Sequence, residues 1–317
     1  MPPSLNTQRT IAFVWDFDKT ITHDYMQNPL FEEYEIDPKK FWEEVNALPE
    51  KWEKLGLRVS KDTIYLGHIL DYIAEGKFPG LSNSKLRELG GRIELAPGIL
   101  DFMEQTNEYL RGNEVYAKHN IEVEHYIVST GLRQMIEGSA IRAQVKEIWA
   151  CELLPSSSAV SLSAPEENVD SLPLSSIGYT IDNTTKTRAV FEINKGINVH
   201  PSIDVNARMD DSERRVPFEN MIYIADGPSD VPVFSVVLKA GGKAFGVHIG
   251  GFSTTSYKNV KQLQDDGRII AMGPADYTQG SATYDMLMGA LDETASRISE
   301  ALERQVSSVL KVPGHIV

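Results

Sequence analysis

Apolar runs in this chain are short, and several stop abruptly at carboxylates or hydroxyls. Residues 10–18, TIAFVWDFD, hold apolar side chains without a break from Ile11 to Trp15, which predicts a strand buried on both faces that ends at Asp16 and Asp18. HYIVS and MIYIAD repeat the pattern, the first running into Ser129-Thr130-Gly131 and the second into Asp226. IWACELL and KAFGV read as further strands. Between them GILDFMEQTNEYLR, opened by Ala96-Pro97-Gly98, and GLRQMIEGSAIRAQV and KTRAVFEINKG have helical spacing. Strands alternating with helices predict an α/β fold, a doubly wound, mainly parallel sheet.

From residue 24 to 95 the pattern changes to helices rich in aromatics and charges, broken at Pro38, Pro49, Gly56, Pro79, Gly80, Gly90 and Gly91. This predicts a helical domain, 24–95, inserted into an α/β core formed by 1–23 and 96–317. Residues 155–175 read as a long loop or hairpin, and 198–219, with Pro201 and Pro217, as a surface insertion. The 280–317 extension reads as helical: Leu287, Leu291, Ile298, Leu302, Val306 and Leu310 follow mostly helical spacing. Packing on the core is the default for such a stripe, with homodimerisation as the alternative.

Composition narrows the partners. The chain has 317 residues, 41% hydrophobic and 24% charged, an ordinary globular profile without an apolar run long enough to span a membrane. A net charge of −14 opposes general attraction to nucleic acid or anionic membranes, while a local cationic site for a small anion stays compatible with it. The single cysteine, Cys151, forms no internal disulfide and no cysteine-rich zinc site, and its apolar setting reads as core. The N-terminal MPPSLNTQRT lacks the pattern of a secretory signal, so a cytoplasmic location is expected.

In open α/β sheets ligands bind beyond the carboxyl ends of the strands. Asp16 and Asp18, Ser129 and Thr130, and Asp226 and Asp230 all follow predicted strands, so one crevice should gather them.

Those residues carry a resemblance. DFDKT at 16–20, STG at 129–131, Lys186 and DGPSD at 226–230 resemble the four ordered motifs of the haloacid dehalogenase-like superfamily, in its phosphatase branch. The similarity runs from about residue 10 to 250 and includes a helical cap between the first two motifs, as in relatives of phosphoserine phosphatase. It implies hydrolysis of a small phosphorylated metabolite through an aspartyl-phosphate on Asp16, with Asp18 as general acid and base. The resemblance further implies Mg²⁺ held by the side chains of Asp16 and Asp226 and the backbone carbonyl of Asp18. Ser129, Thr130 and Gly131 would grip the phosphate, the last two through amides opening a helix. Lys186 would supply positive charge, with Lys195 as the rival lysine. Asp230 would orient Lys186 or a water from behind the metal ligands, direct ligation being the alternative.

The chain departs from phosphatase relatives at Ala225, at Ser229 where they carry Asn, and at Tyr25, which stands where phosphoserine phosphatases present a glutamate to the substrate amine. Alternatives to hydrolysis are phosphoryl transfer from Asp16 to an alcohol and a catalytically silent phosphate sensor. Other features have plainer readings. Phe31, Tyr34, Phe41, Trp42, Trp52, Tyr65 and Tyr72 suit the core of the inserted domain, His23 a structural role and Thr20 a turn cap. GGKAFGVHIGG lacks the ending of a nucleotide-binding loop and reads as turn plus strand.

Overall fold

The computed structural model describes residues 8–156 and 168–309, with side chains described through residue 304. A seven-stranded sheet organises the chain. Its central strand, β1 (Thr10–Trp15), is buried along its whole length, as a strand covered by helices on both faces must be. Four helices follow: α1 (Asn28–Glu33), α2 (Pro38–Lys54), α3 (Ile64–Ala74) and α4 (Asn83–Gly90). The chain then returns through α5 (Ile99–Gly112) and α6 (Glu114–Lys118) to β2 (Glu122–Leu132). Next come α7 (Arg133–Gly138), β3 (Glu147–Pro155), β4 (Leu174–Tyr179) and α8 (Lys186–Lys195). The remaining elements are β5 (Met221–Ala225), α9 (Val231–Lys239), β6 (Lys243–His248), α10 (Thr255–Asp265), β7 (Ala271–Pro274) and α11 (Ala282–Val309).

The strand order is β4-β3-β2-β1-β5-β6-β7, parallel throughout except for the β3–β4 pair. This is the expected doubly wound sheet. The chain winds outward on one side of β1, then restarts on the other at β5, so the switch point lies between β1 and β5. The hairpin expected over 155–175 is present as the antiparallel β3–β4 pair, although its residues 157–167 lie outside the described ones.

The helical segment leaves and rejoins the sheet at one place, where the Ala96 amide donates to the Ile21 carbonyl at 2.7 Å beside a Thr22–Leu95 bridge. Phe31, Phe41, Tyr65 and Tyr72 are buried, and the rings of Phe41 and Phe31 lie 4.8 Å apart. Pro49, expected to break a helix, sits inside α2. The packed face of α2, Phe41 and Val45, precedes the proline and fixes the helix axis before it, so losing one amide donor does not end the helix.

Leu287, Leu291 and Ile298 of α11 are buried and Leu302 packs against the core, while Leu310 lies outside the described residues. The Tyr109 and Tyr116 hydroxyls both donate to Asp292 at 2.6 Å, tying α11 to α5 and α6. Among the described residues no helix is long and apolar enough to cross a membrane.

Candidate active site

Strand register assembles the site. Trp15 of β1 stands opposite Ile127 of β2 and Ile224 of β5. One residue on, the Asp16 amide donates to the Ile224 carbonyl at 2.9 Å, and two residues beyond each neighbour lie Ser129 and Asp226. Three sequence-distant polar groups therefore meet at one edge of the sheet, at its switch point. Asp16, Asp18, Ser129, Thr130 and Asp226 line one cavity there, of about 220 Å³.

Lys186 enters from the first turn of α8. Only 1% exposed, its ammonium donates to Asp16 Oδ1 at 2.6 Å and to Asp230 Oδ1 at 2.7 Å. Burial alone would lower this lysine, but the charges of Asp16 and Asp230 outweigh it and hold the ammonium charged. The rival, Lys195, lies elsewhere: its ammonium donates to the carbonyls of Val205 and Ala207, pinning the 198–219 segment.

The carboxylates are shifted upward. Burial raises Asp16 to about 6, with Lys186 pulling against it, and raises Asp18 to about 7 against the stabilising Met26 amide, which donates to Asp18 Oδ1 at 2.8 Å. Burial, then repulsion from Asp16 and Asp230, brings Asp226 to about 8. A crevice with this excess of negative charge favours a cation. Asp16, Asp226 and Asp230 each offer an oxygen, all within 4.8 Å of one another, an all-oxygen donor set suited to a hard divalent ion such as Mg²⁺. Both Asp230 oxygens are already engaged, Oδ1 by Lys186 and by the Tyr223 hydroxyl at 2.6 Å, Oδ2 by the Ser229 hydroxyl at 2.7 Å. Asp226 is the freer donor, and Asp16 follows it, since Lys186 takes its Oδ1 while Oδ2 has only the long 3.3 Å contact from Thr20.

The segment at 129–131 differs from expectation. Strand β2 continues through it to Leu132, and the helix opens only at Arg133 and breaks after six residues, giving way to a 3-10 turn from Ala140 to Gln144. Thr130 and Gly131 therefore do not open a helix, and no helix dipole stands behind their amides. The cause is an irregularity in the β2–β3 register between Val128 and Leu132, which lets the strand run on past Ser129. The Gly131 amide donates to Ser129 Oγ at 3.0 Å, fixing that hydroxyl, and Gly131 itself packs against the Met26 side chain outside the cavity lining.

Several supports were not visible as motifs. Tyr65 of α3 donates to the Thr130 carbonyl at 2.7 Å, linking the helical segment to the site, and the Cys151 thiol donates to the same oxygen at 3.3 Å. Burial pushes that thiol up to about 11, which keeps Cys151 a core residue. Thr20 Oγ1 reaches Asp16 Oδ2 at 3.3 Å, and its carbonyl accepts from the buried Tyr277 hydroxyl at 2.9 Å. Buried tyrosines are the only sequence signal that could have flagged Tyr223 and Tyr277. His23 is exposed and does not line the cavity.

No model of a known protein family matches the chain. It is 36% identical to an uncharacterized protein of Borreliella burgdorferi over 286 residues, 89% of this chain and 96% of that one. Among solved structures it is similar to a probable phosphoserine phosphatase from Vibrio cholerae, with a TM-score of 0.48, 11% identity, and coverage of 93% of this chain and 68% of that chain. It is also similar to a HAD family hydrolase from Salmonella enterica serovar Typhi, with a TM-score of 0.46, 14% identity, and coverage of 83% and 66% of the two chains.

Proposed function

We propose that this chain, which belongs to one family with that Borreliella burgdorferi protein, has a haloacid dehalogenase-like fold and is a metal-dependent phosphatase of small phosphomonoesters. One observation carries the reading: a buried lysine clamped between Asp16 and Asp230, beside Asp226, at the switch point of a parallel sheet.

A phosphomonoester resists attack because its anionic oxygens repel a nucleophile. Lys186 offsets part of that charge and holds Asp16 in place. A carboxylate oxygen of Asp16 bonds to phosphorus as the ester P–O bond breaks, and Asp18 gives its proton to the departing alkoxide. Water then attacks the phospho-Asp16, returning a proton to Asp18 and releasing orthophosphate. Asp18 and Asp16 lie in the same cavity, so both steps can use one pair of groups. Asp230 holds Lys186 in position, and the Ser129 hydroxyl and Thr130 face the transferred oxygens. A divalent cation held by Asp16 and Asp226 would neutralise charge on the phosphoryl group. The helical segment from α1 to α4 serves as the cap over this crevice, anchored to it by Tyr65.

Turnover of an aryl phosphate with Mg²⁺ tests the proposal. Wild type should hydrolyse it and Asp16→Asn should lose at least a thousandfold, with an unchanged circular dichroism spectrum; wild-type-like turnover in that variant refutes the nucleophile.

A further inference from the structure

The cavity has a mouth that the chemistry of phosphoryl transfer leaves unused. Besides the reacting groups, Lys19, Tyr25, Gly227, Pro228 and Ser229 line it. Its volume of about 220 Å³ admits a phosphoryl group with a leaving group of few heavy atoms, below the roughly 300–1,000 Å³ of pockets for drug-sized ligands.

Lys19 sits in an unfavourable conformation. Its φ is 61°, in the left-handed region that L side chains rarely adopt and glycine enters freely. The turn enforces this: the amides of Thr20, Ile21 and Thr22 all donate to the Phe17 carbonyl, and the Lys19 amide donates to Thr22 Oγ1 at 3.1 Å. The ammonium rests 3.7 Å from the centre of the Tyr25 ring, which lies 5.5 Å from the ring of Trp42 in α2. Lys186 is locked between two carboxylates, whereas among the described residues Lys19 forms no direct ion pair: its ammonium rests on the ring and its charge reaches Asp18 and Asp226 only at longer range. Strain retained at a cavity mouth, with an ammonium in no direct ion pair presented there, marks a binding group.

We infer that Lys19, seated on Tyr25, selects phosphomonoesters whose leaving group carries an anion, a carboxylate or a second phosphate, and disfavours those carrying an ammonium. The inference rests on the phosphatase reading above. Asp18 protonates the leaving oxygen there, and Lys19 is the next residue, lining the same cavity. A divalent cation held by Asp16 and Asp226 would offset the negative charge deeper in the crevice, so that an ammonium at the mouth would face the like charge of Lys19. The nearby Asp24 does not line the cavity, and its oxygens are turned to the Tyr25 amide at 2.8 Å and the Asn28 side chain at 3.0 Å.

Steady-state kinetics with Mg²⁺ on four two-carbon esters test it: phosphoglycolate, ethanediol bisphosphate, ethyl phosphate and phosphoethanolamine. In wild type, kcat/KM for at least one anionic ester should exceed that for ethyl phosphate about tenfold, with phosphoethanolamine lowest. Which anionic ester leads identifies carboxylate or phosphate. Lys19→Met should flatten the order, mainly through KM, Lys19→Arg should keep it, and Tyr25→Leu should weaken it. Ethyl phosphate or phosphoethanolamine matching the anionic esters in wild type overturns the inference without any variant, as does an equal loss on all four esters in Lys19→Met. Both outcomes leave the phosphatase reading standing. Failure of wild type to turn over any of the four, or the aryl phosphate, defeats that reading and this inference with it.

Discussion

The Lys186 ammonium lies 2.6 Å from Asp16 although 170 residues separate them, and both are almost wholly buried. A charge pair so enclosed is costly to break, because the partner left behind has neither water nor counter-charge.

Lys186→Met should therefore destabilise the fold by about 3–5 kcal/mol near neutral pH. Asp16 and Asp230 would face each other unpaired, and the Asp16 carboxyl, already raised to about 6 by burial, would rise further. Raised carboxylate values cost stability as pH climbs through them, so the deficit should be smaller at pH 5 than at pH 8. Urea unfolding at the two pH values measures this; a deficit independent of pH contradicts it.

His125 should make the fold sensitive to acid. Trp15 Nε1 donates to its Nδ1 at 3.2 Å, so the ring proton sits on Nε2, 3.0 Å from the Thr106 hydroxyl. Burial pushes His125 down from 6.5 to about 3. Between those values the unfolded chain binds a proton that the folded one does not, so this contribution is complete above about 6.5 and lost as pH falls toward 3. Its size is on the order of a few kcal/mol. The pH dependence of the unfolding midpoint between 7 and 5 should be shallower in His125→Gln than in wild type; equal slopes would count against the mechanism.

Divalent cation should stabilise the folded chain in proportion to its occupancy, by roughly 2.7 kcal/mol at a hundredfold excess over Kd. Thermal unfolding with Mg²⁺, then with chelator, reads this without reference to activity. The shift should vanish in Asp226→Asn, and an undiminished shift there would place the ion elsewhere.

Two glycines should separate conformational strain from crowding. Gly56 has φ 77° and open space around it, so Gly56→Ala should cost about 1 kcal/mol. At Gly98, φ 72°, a Cβ would lie 2.5 Å from the Thr278 amide nitrogen, backbone that cannot yield cheaply. Gly98→Ala should cost at least ~3 kcal/mol, and unfolding midpoints that fail to separate the two variants would rule out the crowding.

Much of the core was legible along the chain. The apolar runs ending at Asp16 and Asp226 became β1 and β5, and KTRAVFEINKG became α8 with Lys186 in its first turn. Such segments declare themselves because strand burial and helix periodicity are local patterns. The end of β2 did not. Ser129-Thr130-Gly131 resembles a strand end followed by a helix, but a register shift against β3 carries the strand three residues further. Pro49 inside α2 and the late elements α10 and β7 were likewise settled by packing that no short window contains.

The amino-acid order by itself set which residue types stand at the strand ends, and so the carboxylates, hydroxyls and lysine available to the crevice. Tertiary structure alone decided their pairing: Lys186 with Asp16 and Asp230 while Lys195 holds a loop, Tyr223 behind Asp230, Tyr277 beneath Thr20 and Lys19 upon Tyr25. Strand identity depends on neighbours along the chain, whereas a buried charge is placed by groups that reach it from distant segments, and only the closed sheet brings those segments within bonding distance.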